Sequence, residues 1–414
     1  MSGPPLSRQV TPSPPPPVDR RVIFVVASLA IVFAGFGVTL ALLKQRVTDL
    51  GFNDFAYGFS AGIFPVAAIS GRLIAGRLID SRGSRSTMVW GALITSAGSA
   101  LFAAPGFVGL MAARSLQGFG DGLLYTAAAA AILDLVAADR RSQALGWLSG
   151  GIWGGLSLGA ATGPLFGNLQ IAGVVFAILG VGAVFFIRLL PAGIAVAPAQ
   201  RSPGIRGLFP RAARRPGVVI GLTNFGYAAM TGFVVVLTAD RFHGGNWALT
   251  AFGLTLLVVR GIFGFIPDRL APRVALNSAH VILSIGLLIV ALSPSLPLAI
   301  LGAIVAACGH SIPWPVLVTN TLDRSDDNQR GAIIGAMTAS FDIAVACAQV
   351  TFGIISQSVG TVWVFAAAII AVAAGNVVSK QLPLPRELAA NRTPIWPKKK
   401  SADFSQDFSQ GVDS

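Results

Sequence analysis

Charged residues are scarce in this chain. They make up only 11% of its 414 residues, whereas hydrophobic residues make up 54%. A water-soluble domain of this length needs far more charge to cover its surface, so a soluble protein is excluded. The composition predicts an integral membrane protein with the lipid bilayer as its partner.

Cysteine and histidine are also rare. Cys308 and Cys347 both fall within apolar segments, and the three histidines, His243, His280 and His310, are scattered along the chain. This excludes a disulfide framework, a metal cluster and a recognisable catalytic set of nucleophile, base and acid. We therefore expect no metal, no cofactor and no enzymatic activity. A membrane-embedded enzyme or receptor is the less favoured alternative.

Long apolar runs, in contrast, are abundant. A run of about 20 apolar residues crosses the roughly 30 Å hydrocarbon core as a helix. Twelve such runs can be placed, so we predict an all-α membrane protein with twelve transmembrane helices. They lie near residues 22–43, 55–78, 87–105, 107–136, 143–166, 168–189, 217–238, 247–266, 274–293, 295–320, 331–355 and 360–379.

Basic residues outnumber acidic ones, with 30 Lys and Arg against 17 Asp and Glu. Most of the basic residues lie in segments that an inside amino terminus places in the cytoplasm, as the positive-inside rule predicts. The excess is therefore interpreted as a topology signal, and no nucleic-acid partner is expected. We predict a bacterial plasma-membrane protein with both termini in the cytoplasm.

Proline-rich and polar segments divide the chain into five parts. We predict disordered cytoplasmic tails at both ends, a six-helix bundle on each side of the middle, and a basic, proline-containing cytoplasmic linker between the bundles. In chain order, these parts are residues 1–19, 20–190, 191–216, 217–380 and 381–414.

One pattern occurs twice, where an apolar segment ends. An arginine, a glycine and an aspartate recur at the same spacing 188 residues apart, as Arg72, Gly76, Asp80 and as Arg260, Gly264, Asp268. A duplicated pattern indicates two similar halves. In membrane proteins such halves commonly form a carrier with its site between them.

Two motifs resemble those of the major facilitator superfamily. The segment from Gly76 to Arg85, GRLIDSRGSR, resembles the family's loop between helices two and three. In helix four, Arg114 and Gln117 match the family's Arg-x-x-Gln-Gly pattern. The resemblance covers residues 20 to 380. It implies two pseudo-symmetric six-helix bundles and a monomeric secondary transporter.

The resemblance and the duplicated positions at helix ends assign gating to one group of residues. Ser81 and Ser84 replace basic residues that the family usually has, so an ionic latch to Asp134 would depend on Arg85. A topology signal without gating is the alternative. The group consists of Arg72, Gly76, Asp80, Arg82, Gly83, Arg85, Asp134, Arg260, Gly264, Asp268 and Arg269.

Buried charge predicts that helix four faces the transport cavity. Arg114, Gln117 and Asp121 share one helix face. Exposing an arginine or a carboxylate to lipid costs at least about 2.5 kcal/mol on insertion scales. Arg114 is expected to attract either Asp121 or an anionic part of the substrate, and a purely structural Arg114–Asp121 pair is the alternative.

Proton coupling is assigned to Asp342, with Asp121 as the alternative carrier and His310 as a further candidate. Asp342 lies roughly 17 Å along helix eleven from its cytoplasmic start, near the bilayer centre. Desolvation there favours the neutral carboxyl, and exposure to water or a cation releases the proton. For His310, a hydrogen-bonded structural role is the competing interpretation.

Aromatic residues in cavity-side helices indicate a small organic substrate, because polar groups suited to a sugar are few. Packing is the alternative role for each of these aromatics. The expected substrate-cavity residues are Arg114, Gln117, Tyr125, Trp153, Asn224, Tyr227, Trp314 and Phe341.

Glycine recurs at every fourth position in helix five. Gly159, Gly163, Pro164 and Gly167 resemble the antiporter motif of the superfamily's drug exporters. The resemblance implies export of a small amphipathic compound in exchange for protons. Close helix packing without directional meaning is the alternative for the glycines, and proton-coupled uptake is the alternative function.

Overall fold

The computed structural model describes residues 19–136, 140–191, 210–239, 241–242, 246–262, 270–325 and 329–384. These residues form twelve helical segments. They are α1 (Arg20–Asp49), α2 (54–82) and α3 (84–100) within the continuous helix Asp54–Ala100, α4 (Gly106–Asp134), α5 (Arg141–Thr162), α6 (Leu169–Arg188), α7 (Arg211–Ala239), α8 (Asn246–Ile262), α9 (Pro272–Leu292), α10 (Leu296–Leu322), α11 (Arg330–Val359) and α12 (Thr361–Ser379).

Eight described helices are long and apolar enough to cross a membrane, and the one that begins at Asp54 includes both α2 and α3. The remaining segments, α4, α5 and α8, are shorter or less apolar. Their sequences contain the buried charges Arg114 and Asp121 in α4, the glycine series in α5 and Arg260 in α8.

The connection between α2 and α3 differs from the expected loop. Helical structure continues from Asp54 to Ala100 and changes direction only at Gly83, where φ is +80°. Because this left-handed conformation is costly for residues with a Cβ, glycine permits the sharp bend. The segment from Gly76 to Arg85 is therefore two helix ends joined at one residue.

Other boundaries shift as well. Helix α7 begins at Arg211, ahead of the expected position 217, and contains Pro216. It also has a π-helical turn at Ala229–Phe233. Helix α10 is interrupted between His310 and Pro313, because proline cannot continue the backbone hydrogen bonds of the preceding turn.

The two halves repeat one packing scheme. In the first half, α1 packs against α5 and α2 against α4; in the second, α7 packs against α11 and α8 against α10. Between the halves, α2 packs against α11 and α5 against α8. We call the end that carries residues 19, 191, 210 and 384 the linker end, and the opposite end, with the α1–α2 connection, the loop end.

Candidate functional site

A charged triad lies where α2, α4 and α11 meet. Arg72 Nε is 2.9 Å from Asp342 Oδ2, but the angle does not suit a hydrogen bond, so this contact is an ion pair. Arg72 Nη2 donates to Asp342 Oδ1 at 3.5 Å and to Asp121 Oδ2 at 3.4 Å. Because Asp342 belongs to the second half, the triad connects the two bundles.

Small residues position the triad. A Cβ added at Gly122 would lie 2.3 Å from the carbonyl oxygen of Ala68 and 2.8 Å from the amide nitrogen of Arg72. Only glycine allows α4 to approach the α2 backbone this closely. The approach places Asp121, one residue before Gly122, beside the Arg72 side chain.

The triad contains more acid than base. The side chains of Asp121 and Asp342 are 6% and 3% exposed, and Asp121 Oδ1 has no hydrogen-bond partner among the described residues. A buried carboxylate is costly unless it is paired or protonated. One guanidinium balances one carboxylate charge, so the second carboxyl can accept a proton or a cation.

An aromatic cluster lies near the triad and centres on Tyr227 of α7. Its ring stacks on His310 at 5.3 Å between centroids, and it lies 5.3 Å from Phe341 and 6.0 Å from Trp153. Phe252 completes the cluster at 6.3 Å from Tyr227. Sequence reasoning missed Phe252, whose only signal was its place on the cavity-side helix α8.

Two arginines contact aromatic rings at this level. The Arg72 guanidinium lies 4.9 Å from the ring centroid of Tyr125, and that of Arg260 lies 5.3 Å from Trp153. Both contacts are cation–π interactions. The Arg260 contact joins the two halves across the seam between α5 and α8.

Arg114 and Gln117 lie in a separate polar network within the first half. Arg114 donates from Nε to the Ser60 carbonyl at 3.2 Å and from Nη1 to Gln117 Oε1 at 3.1 Å. Gln117 in turn donates to Ser99 Oγ at 3.1 Å. Of the two expected partners of Arg114, Asp121 contacts Arg72 instead, and an anionic part of the substrate stays a prediction.

Two expected cavity residues of the second half, Asn224 and Trp314, make other contacts. Asn224 donates to the Ile220 carbonyl at 2.7 Å within α7. Trp314 packs in a hydrophobic cluster with Leu317 and Met337. Position on a cavity-side helix does not specify which neighbours a side chain meets.

The expected gating residues are placed only in part. Asp80, Arg82 and Asp134 are exposed near the linker end. Arg85 donates to the Leu190 carbonyl at 2.9 Å, at the end of α6, and its latch to Asp134 stays a prediction. A Cβ at Gly76 would meet no atom within 4 Å.

Three expected gating residues of the second half, Gly264, Asp268 and Arg269, lie outside the described residues.

Gly159 and Gly163 of α5 face α1. A Cβ at Gly159 would lie 1.9 Å from the Ala34 carbonyl oxygen, and one at Gly163 would lie 2.8 Å from Ala41 Cβ. Pro164 begins the turn after α5, and Gly167 ends it with φ at +71°. These contacts give the glycines a packing role.

A seal at the loop end was not expected from the sequence. Ser356 Oγ of α11 donates to Asp54 Oδ2 at 2.5 Å, and Asp54 also pairs with Lys44. Tyr57, which is fully buried, donates its hydroxyl to the Gly232 carbonyl in the π-helical turn of α7. The seal therefore connects α2 with both α7 and α11.

Comparison with known proteins identifies relatives that cover more than four fifths of the chain. An uncharacterized MFS-type transporter of Salmonella typhimurium is 26% identical over 356 residues, which cover 82% of this chain and 90% of the relative. Another from Burkholderia pseudomallei strain 1106a is 26% identical over 382 residues, 87% of this chain and 92% of the relative.

The fold is shared with a solved transporter. The crystal structure of the human organic anion transporter MFSD10 superposes with a TM-score of 0.64 over 88% of this chain and 100% of the human chain, at 18% identity. The sequence profile of the Major Facilitator Superfamily matches residues 25–245 and 237–403. The chain therefore belongs to the Major Facilitator Superfamily of membrane transporters and is not an enzyme.

Proposed function

We propose that this protein is a proton-coupled transporter that exports a small amphipathic organic compound by alternating access. The observation that carries the proposal is the Asp121–Arg72–Asp342 triad, in which two buried carboxyls share one guanidinium. Coupling requires a buried group that gains and loses a proton during the cycle. The triad offers two such groups.

Asp342 is the proposed proton carrier, and Asp121 is the alternative. When both are ionised, the triad has a net negative charge in a poorly solvated place, and protonation of one carboxyl removes it. Because Arg72 and Asp342 belong to different halves, the protonation state also changes the attraction between the bundles. A cycle of proton binding and release can therefore drive conformational exchange.

His310 remains a further candidate for proton transfer. It is 6% exposed and stacked on Tyr227, and its Nδ1 has no hydrogen-bond partner among the described residues. The stacked arrangement equally supports a structural role. Its neighbours Tyr227, Phe341 and Trp153 supply apolar surface for the body of an amphipathic substrate.

Export is supported by the resemblance of the α5 glycine motif to that of drug exporters. Gly159 packs against Ala34, and this contact explains the glycine without implying a direction of transport. Uptake by proton symport is therefore the second candidate. The concentration of basic residues in the linker supports a cytoplasmic linker end in the bacterial inner membrane. We further propose a monomer, with the site contained in one chain.

Reconstituted protein tests the coupling. Candidate substrates come from a susceptibility screen of a deletion strain, and flux is measured in proteoliposomes with an imposed pH gradient. Asp342→Asn is expected to abolish uphill transport and to retain downhill exchange, because an amide cannot carry the proton. Asp49→Asn, at an exposed position at the loop end of α1, is the matched control.

Uphill, pH-driven accumulation by Asp342→Asn at the rate of the unmodified protein would contradict the assignment. The same assay on Asp121→Asn decides whether helix α4 carries the proton instead.

A further inference from the structure

The two halves carry matching arginines with different partners. Arg72 lies between two carboxylates, whereas Arg260, at the corresponding position of the second half, lies over the ring of Trp153. In the described part of the chain, the Arg260 guanidinium forms neither an ion pair nor a hydrogen bond. Its side chain is partly exposed.

The internal repeat shows which residues of the two halves correspond to each other around these arginines. An offset of 189 residues, one more than the 188 between Arg72 and Arg260, relates Arg141 to Arg330, Asp121 to His310 and Trp153 to Asp342. The acids around Arg72 therefore correspond to His310 and Trp153 around Arg260. Arg260 thus has a histidine and a tryptophan at the positions that correspond to the two acids around Arg72.

An arginine in a membrane interior needs compensation for its charge. The Trp153 ring compensates Arg260 only in part, since a cation–π contact leaves the N–H donors of the guanidinium available. These donors form a planar fork that matches a carboxylate in two parallel hydrogen bonds. A ligand carboxylate would supply the negative charge that Arg260 does not meet among the described residues.

We propose that Arg260 binds the carboxylate of a small organic anion and that the apolar body of this anion packs against Trp153, Tyr227 and Phe341. The inference rests on the proposed transport function and names its substrate class. In this proposal, proton binding and substrate binding belong to different residues. The proton binds at Asp121 or Asp342, and the substrate anion binds at Arg260, so the two do not compete for one charge.

Equilibrium binding to the purified full-length protein in lipid nanodiscs tests this assignment. The probes are two sets matched in shape and differing in charge. One set is indole-3-acetate, indole-3-acetamide and tryptamine; the other is phenylacetate, phenylacetamide and phenethylamine. The carboxylates are expected to bind at least roughly tenfold more tightly than the amides and amines, as a charge-assisted pair of hydrogen bonds allows.

Arg260→Gln should reduce this preference to within about twofold, and Arg260→Lys should keep part of it because the charge remains without the fork. Arg241→Gln is the matched control. It removes another arginine of the same half, one that donates to the Ala291 carbonyl at 3.1 Å near the loop end, and should leave the preference unchanged.

A preference for the amines, a carboxylate preference that survives Arg260→Gln, or the absence of carboxylate binding would each overturn the proposal. Transport is measured separately. Carboxylate binding through Arg260 without any pH-driven flux in proteoliposomes would contradict the proposed coupling and leave the substrate class standing.

Discussion

At the residue scale, two arginines of the first half differ in the charge of their hydrogen-bond partners. Arg114 donates to the neutral oxygens of Ser60 and Gln117, whereas Arg72 is balanced by Asp121 and Asp342. Removing one member of a buried ion pair leaves an uncompensated charge, which costs more than the pair itself contributes. Arg72 is therefore expected to be the more sensitive of the two arginines to neutral replacement.

Arg72→Gln should lower the free energy of unfolding by about 3 kcal/mol or more, because two buried carboxyls lose the cation that pairs with both of them. Adding Asp342→Asn should recover part of this loss, since the second change removes one unpaired acid. Thermal unfolding of the detergent-purified single and double variants measures both effects. Arg77→Gln, one turn away and exposed, serves as the control. A double variant no more stable than Arg72→Gln would refute this account.

At the scale of the helix, glycine spacing determines how closely α5 approaches α1. The Cβ positions of Gly155 and Gly159 would fall 2.3 and 1.9 Å from the carbonyl oxygens of Ala30 and Ala34. These atoms belong to the backbone, so a side chain at either position must push the helices apart. Gly146, in the same helix, has open space around its Cβ position.

Gly159→Ala should therefore destabilise the protein by about 1–3 kcal/mol through overpacking. Gly146→Ala should be neutral or stabilising by up to about 1 kcal/mol, because alanine favours helix and meets no neighbour. The unfolding midpoint of each variant in one detergent gives the comparison. Equal midpoints for the two variants would mean that α1 and α5 do not pack as described.

At the scale of the whole molecule, contacts at two levels hold the halves together. The triad connects them near the centre, and the seal of Asp54, Tyr57 and Ser356 connects them at the loop end. In the proposed alternating-access cycle, these contacts belong to the state that is closed at the loop end. Opening toward the loop end must break the Tyr57 contact with the π-helical turn of α7.

Tyr57→Phe removes this hydroxyl and should shift the conformational equilibrium toward loop-end opening by roughly two- to tenfold, the value of one net hydrogen bond. Electron–electron distance measurements between spin labels at Thr48 and Ser358, both exposed at the loop end, report the populations. Ser28→Ala is the control, because it removes a buried hydroxyl that bonds within α1. Unchanged distance distributions in Tyr57→Phe would show that the seal does not govern opening.

The sequence by itself determined the membrane class, the twelve-helix fold and the family. These properties follow from the length of apolar runs, the position of basic residues and the repeated motif, and each is a property of local segments. Asp121 and Asp342 could also be identified from the sequence as candidate proton carriers, because an acid within an apolar helix is unusual. The direction of transport and the coupling ion stay predictions.

Only the tertiary structure decided which residues meet. Arg72 was assigned to gating and Asp121 to proton coupling, with Arg114 as its possible partner, but α2, α4 and α11 bring Arg72 to both acids. The seal between Asp54 and Ser356 joins residues some 300 positions apart. Such contacts depend on how helices cross and rotate. Helix periodicity shows which residues share one face of a helix, but it does not show which residues of a neighbouring helix pack against that face.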